Sequence, residues 1–325
     1  MALNLRQQII VGFLVVLLVL LMPQAVSTAQ TEEGQITIVF DFSHNQPFSP
    51  SNRNFSQAVE FFDSYPEYFV RTLEHGQLTA ENLSRSHILV IPNPGTEYNA
   101  SELQVITEYV QQGGSLFLLC DFQVLNRQIG NPTVLNSILQ TLSYSEIKFT
   151  TVTEDDEIQG DAIVDPVSAE ILPYNILVNV SDITLDVYRD TFGAGIDSLL
   201  VAGGSLTSNI SELIIWNGGD TSQSVGMNGQ ILQNQPGWLA AFEIGQSHIV
   251  LSTSTTMFSD TSCVVTNQSW FNSVDNSVLW HNIFRWMATQ LTTDPTPIMI
   301  LFVVLVLITG VVVFIYSFWL RKRGR

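Results

Sequence analysis

A cysteine followed by an aspartate closes the stretch GGSLFLLCDF at residues 113 to 122, where a glycine turn leads into an apolar strand. In α/β proteins a nucleophile often stands at the end of such a strand, so Cys120 and Asp121 are the first residues to weigh for chemistry. A reactive thiol needs a depressed pKa and a base within reach. The Asp121 carboxylate next door opposes thiolate formation. The five histidines, His44, His75, His87, His248 and His281, stand in no His-x-Glu arrangement. His87 and His248 each open an apolar strand and are expected as edge or solvent-facing residues. His44 differs, because DFSHN follows the carboxyl end of the first strand, where open α/β sheets place ligands. There it either holds its turn or serves as ligand or base.

If the sheet is parallel, Asp41, His44, Asn45, Asn93, Asp121 and Asp260 converge on that same rim. They would form a polar, acidic lip able to hydrogen-bond a sugar or a partner's loop. The competing expectation is that Asp121 and Asp260 cap the turns or helices that follow their strands. Cys263, three residues after Asp260, would share the rim with Cys120. A Cys120–Cys263 disulfide and a buried free thiol are both open. EDDE at 154 to 157 lacks the alternating oxygens and turn glycine of a calcium loop and reads as a solvated acidic turn. No metal or cofactor motif occurs.

The elements that position these residues alternate. QITIVFDF, EYFVRTL, HILVIPNP and SLFLLCDF read as strands, with helices in NFSQAVEFFDSY, NASELQVITEYVQQGG and PTVLNSILQTLS. This order predicts an α/β domain with a mostly parallel sheet covered on both faces. Residues 158 to 235 read as short strands, DAIVDPV, ITLDVY, DSLLVAG and ELIIWNGG, forming an antiparallel elaboration of the same domain. GWLAAFEI, a GQS turn, HIVLSTSTTMFSD and the helix NSVLWHNIFRWMATQL close it.

Two apolar blocks flank this domain. Residues 1–29 read as a signal peptide ending at Ser27 and Ala29, with an uncleaved anchor as the other reading. Residues 298–320 are long enough to span a bilayer as a transmembrane helix, after a stiff spacer at 291–297. Arg321, Lys322, Arg323 and Arg325 in the tail, 321–325, place that end in the cytoplasm and the domain at 30–290 outside or in a lumen, on a plasma or endoplasmic-type membrane. All 30 acidic residues of the chain but only seven of its 12 basic ones fall between residues 30 and 297, the domain with its spacer, a formal charge of −23. Such a surface repels nucleic acid. Sequons occur at Asn54, Asn82, Asn99, Asn179, Asn209 and Asn267.

The succession DFSHN, LTAENLSRSHILVIPNPG, ELQVITEYVQQGGSLFLLCDF and GQSHIVLSTSTTMFSD, followed by NSVLWHNIFRWM, resembles the GIFT branch of the class I glutamine-amidotransferase-like fold. That branch holds an intraflagellar transport protein, auxiliary proteins of ABC transporters, and the non-catalytic 48-kDa-class subunit of the oligosaccharyltransferase. The resemblance implies a flavodoxin-like, glutamine-amidotransferase-like sheet. Catalytic relatives of the fold carry their cysteine in a G-x-C-x-G elbow, and no glycine flanks Cys120. The resemblance and the topology together imply a non-catalytic, membrane-anchored interaction domain, an accessory subunit of an oligosaccharyltransferase-like complex whose partner is an integral-membrane protein such as a glycosyltransferase. The alternatives are a sugar- or solute-binding ectodomain serving a membrane transporter, and, least favoured, a hydrolase or amidotransferase.

Overall fold

The computed structural model describes residues 35–124, 127–154, 157–167, 175–226, 228–289 and 310. The expected signal peptide, spacer, span (apart from Gly310) and tail lie outside these. Among the described residues no helix is long and apolar enough to cross a membrane.

Four strands, β1 (Ile36–Asp41), β2 (Tyr68–Leu73), β3 (Ile88–Pro92) and β4 (Ser115–Leu119), pair in parallel in the order β2-β1-β3-β4. β3 and β4 are buried at every residue. That is why they read as unbroken apolar runs: a parallel sheet covered by helices has no wet face to mark by alternation. Four short strands or hairpin arms extend the sheet on the β4 side: β5 (Ile147–Phe149), β6 (Leu206–Ser208), β7 (Ile214–Asn217) and β8 (Gly237–Ile244). β9 (Ser247–Ser252) inserts between β4 and β8, parallel to the first and antiparallel to the second. A two-residue turn joins β8 to β9, with Gly245 at a φ of +62° that favours glycine. The order is β2-β1-β3-β4-β9-β8-β6-β5, with β7 also pairing β8.

Helices α1 (Ser56–Glu60), α2 (Ala80–Leu83), α3 (Ala100–Gln111), α4 (Pro132–Thr141) and α6 (Asn276–Met287) belong with this sheet, while α5 (Asp186–Arg189) lies in the insertion. Asn99 caps α3 by accepting from the backbone of Ser101 and Glu102, and Glu102 answers by accepting from Asn99 N–H. The reciprocal pair explains why N-x-x-E followed by an apolar periodicity and Gly113 at a φ of +96° reads so clearly as a helix.

The period-2 alternation of β4 divides its side chains between two cores. Phe117 and Leu119 join Phe40, Trp280 and Phe284 under α6, whereas Leu116, Leu118 and Cys120 join Ile106, Leu135 and Ile138 under α3 and α4.

The elaboration is antiparallel, as expected. Ala162–Val164 pairs with Gln223–Val225, which pairs with Ile231–Asn234, and Ile176–Asn179 pairs with Ser198–Val201. ITLDVY corrects one expectation: only Ile183 bridges, to Trp216, and the chain then turns into α5. Ile183 is buried but Leu185 and Val187 are exposed, so its alternating apolar residues never share a covered face.

Candidate functional site

The carboxyl ends of β1, β3, β4 and β9 meet at one rim, and the polar side chains there bond to one another. Asp41, fully buried at the end of β1, accepts from the backbone and hydroxyl of Ser43 at 2.9 and 2.6 Å and from the Tyr98 hydroxyl at 2.7 Å. The His44 ring stacks on Tyr98 with centroids 3.7 Å apart. Its Nδ1 lies 3.3 Å from Asp41 and its Nε2 3.4 Å from Glu102. Burial alone would lower the His44 pKa, but the hydrogen bond and charge of Asp41, followed by Glu102, raise it above its ordinary value. Burial would likewise raise Asp41, and the bonds from His44, Ser43 and Tyr98 outweigh it, leaving the carboxyl below the usual range. The His44 ring thus lies between the buried carboxyl groups of Asp41 and Glu102 and ties the first loop to the start of α3.

Asn45, at a φ of +54°, turns the chain outward and is exposed. Just before it, the His44 carbonyl accepts from Gly95 and Thr96 N–H. Asn93, buried at a φ of +47°, donates its amide to the Ile129 carbonyl and accepts from Asn131 N–H. Asp260 accepts from the backbone and hydroxyl of Ser56 at 2.7 and 2.6 Å and from Gln57 N–H at 2.9 Å. It therefore caps α1, a helix about 200 residues earlier, rather than the turn that follows its own strand.

Asp121 is buried and accepts from Phe122 N–H and from the backbone and hydroxyl of Thr256, each at 2.8 Å. Burial pushes its carboxyl up to about 7, against the lowering by these donors. Asp161, whose carboxylate accepts from the backbone and hydroxyl of Ser205, is also raised by burial. Asp121 holds its proton more tightly folded than unfolded, so its contribution to stability is present at low pH and is lost as pH rises from about 4 towards 7. Urea titrations between pH 5 and pH 8 are expected to show a decline in stability that is shallower in Asp121→Asn; equal slopes would refute the assignment.

Cys120 and Cys263 are both buried, free thiols, so the bridge is not formed. Cys120 belongs to the core under α3 and α4. Cys263 lies in a separate small core with Phe122, Ala162, Leu200 and Trp270. Burial, followed by the charges of Asp121 and Asp161, drives the Cys120 thiol pKa well up, the reverse of an activated nucleophile.

His248 corrects its solvent-facing expectation: it is buried and stacks on Trp286 at 4.0 Å. His87 accepts from Thr37 N–H through Nδ1 at 2.8 Å, and burial lowers its pKa. Among the sequons Asn99, Asn179, Asn209 and Asn267 are exposed and Asn54 and Asn82 half-buried. Of the acidic turn, Glu154 and Glu157 pair at the end of a hairpin, and residues 155 and 156 lie outside the described ones.

Sequence reasoning missed Glu102, Tyr98, Asp161 and Thr256. Only Glu102 had a local signal, its place three residues after the Asn99 cap. Among the described residues no group of three or more metal-ligating side chains is assembled.

The sheet order and the covering helices define an α/β domain with a mostly parallel central sheet and added antiparallel strands. Among solved structures the chain is similar to the mmIFT52 N-terminal domain, at 19% identity and a TM-score of 0.57, covering 78% of this chain and 97% of that one. It is also similar to a ThuA-like protein from Parabacteroides merdae, at 10% identity and a TM-score of 0.51, covering 81% of this chain and 92% of that one. These are likenesses of fold. No family model and no curated protein matches the chain.

Proposed function

We propose that this chain is a non-catalytic interaction domain, anchored by residues 298–320 with the domain outside or in a lumen, and acting as an accessory subunit of a membrane complex of the oligosaccharyltransferase type. The observation that carries the reading is the state of the rim. The positions where this fold would stage chemistry are spent internally: Asp41 on Ser43, Tyr98 and His44, Asn93 on the loop at 129–131, and Asp121 on Thr256. The thiol at the strand end faces a packed core. Support for the class of role comes from the likeness of fold to the mmIFT52 N-terminal domain. A sugar- or solute-binding ectodomain would need polar groups at the rim that are free to bond a ligand, and Asp41, Asn93, Asp121 and Asp260 are committed.

Gentle solubilisation of membranes followed by affinity purification of the full chain is expected to recover an integral-membrane partner in fixed proportion, unchanged by Cys120→Ala. Recovery as a lone monomer, or hydrolysis of an amide that disappears with Cys120→Ala, would overturn the reading.

A further inference from the structure

One edge of the central sheet is open for pairing. β2 stands last in the order beside β1, and among the described residues no strand pairs with its outer edge. At the other end of the sheet β5 is only three residues long. β2 has six residues, keeps register with β1 at every one of them, and contains no proline, lysine or bulge. Those are the devices by which natural sheets blunt an edge. In the middle of the strand the Phe69 ring is 49% exposed.

The bonds to β1 fix which main-chain groups point outward. Ile36 N–H donates to the Glu67 carbonyl and Phe42 N–H to the Leu73 carbonyl, both at 2.7 Å. In a regular parallel pair, alternate residues turn their main-chain groups to the same neighbour. The odd-numbered residues of β2 therefore serve β1, and Val70 and Thr72 turn N–H and C=O outward. The Tyr68 carbonyl points outward with them, while its N–H donates to the Tyr65 carbonyl.

A second copy related by a two-fold axis would run antiparallel to β2, with each facing pair of residues repeated on the other side of the axis. Outward groups must meet outward groups, so even-numbered residues face even-numbered ones and the axis passes through a single residue. With the axis at Phe69, Glu67 faces Arg71 on both sides, Phe69 faces Phe69, and Val70 N–H meets the Tyr68 carbonyl. With the axis at Val70, Glu67 faces Leu73. At Arg71 two guanidinium groups collide, and at Tyr68 the Glu67 carboxylate faces Phe69. Of these registers, the one centred on Phe69 matches both charges.

The side chains suit that register. Glu67, Phe69 and Arg71 share one face of the strand, and cross-strand pairs outside the hydrogen-bonded positions bring side chains closest. Glu67 is exposed, and neither it nor Arg71 forms an ion pair among the described residues. Arg71 donates one terminal nitrogen to the Ser84 carbonyl at 3.0 Å, and its Nε has no acceptor. A facing Glu67 sets a carboxylate beside it.

We infer that β2 is a self-association edge, at which two copies of this chain pair antiparallel about Phe69 and join their central sheets into one. This goes beyond the proposed role, because it calls on no other protein.

Cysteine linking and charge reversal test it on the full chain in mild detergent. Facing residues outside the hydrogen-bonded positions lie about 4.5 Å apart at Cα, within disulfide reach. Under copper-catalysed air oxidation Phe69→Cys should therefore link into covalent dimers. Thr72→Cys, whose two copies would lie about 20 Å apart along the strands, should not. The natural Cys120 and Cys263 are buried and do not compete. By sedimentation equilibrium, Glu67→Arg and Arg71→Glu should each weaken the dimer about tenfold, and the double reversal should restore it to within about threefold of wild type. Restoration also shows that the single variants fail by charge and not by misfolding. Equal linking of Phe69→Cys and Thr72→Cys, a double reversal no better than the single ones, or a wild type that stays monomeric at about 100 times the concentration used for linking overturns the proposal.

Discussion

Replacing Asp41 by alanine is expected to lower the stability of the domain by about 3–5 kcal/mol, the loss typical of removing one partner from a buried ion pair. The reason lies in what remains. The Tyr98 hydroxyl, the Ser43 N–H and the Ser43 hydroxyl each lose the acceptor that Asp41 gives them, and the His44 ring loses one of the two carboxyl groups beside it. The effect also carries a pH signature. His44 is raised, so its contribution is full below about 6.5 and is lost as pH rises through its folded pKa. Asp41 is lowered, so its contribution is present above about 3.8 and is lost as pH falls through its folded pKa. Urea unfolding near pH 6 should therefore show the full deficit, and the deficit should shrink at both extremes. A double-mutant cycle with His44→Ala is expected to give a coupling above about 1 kcal/mol. A coupling near zero would mean that the loop is held by its backbone bonds alone.

Trp280→Ala is expected to cost a similar amount, about 3–5 kcal/mol, by a different route. The indole is fully buried on α6, with the rings of Phe258, Phe284 and Phe117 centred 4.6, 4.8 and 5.7 Å away. Its N–H donates to the Ala58 carbonyl at 3.0 Å, so one side chain pins α6 to both the sheet and α1. Truncation opens a cavity among side chains that come from four separate segments and cannot collapse together. The urea midpoint should fall with little change in the slope m, while alanine at exposed Asp63 stays within about 0.5 kcal/mol of wild type. A Trp280→Ala midpoint as high as that of the Asp63 control would refute the packing account.

The parts of the fold that sequence made legible are those with local causes. β3 and β4 announce themselves as apolar runs, and α3 carries both its capping pair and its glycine stop. The insertion is obscure because its strands are three or four residues long and acquire meaning only from distant partners, as Ala162–Val164 does from Gln223–Val225. The same holds for the rim. Strand ends place Asp41, Asn93 and Asp121 correctly, but what binds each of them is remote: Thr256 is 135 residues from Asp121, and Ser56 is 204 from Asp260. Of the two states left open for Cys120 the buried free thiol is the one found, and counting by twos from Leu116 already turns Cys120 towards α3 and α4.

The place of β9 has a consequence for synthesis. It fills the gap between β4 and β8, and the cap of α1 comes from Asp260 just beyond it. Until residues 247–252 have left the ribosome β4 has an open edge, and until Asp260 follows α1 has an uncapped start, although both elements were made more than 100 residues earlier. An open edge of this apolarity is a site for wrong pairing. The central sheet therefore closes only when one of its latest-made strands pairs with one made more than 100 residues before it, so its apolar middle stays open for most of synthesis.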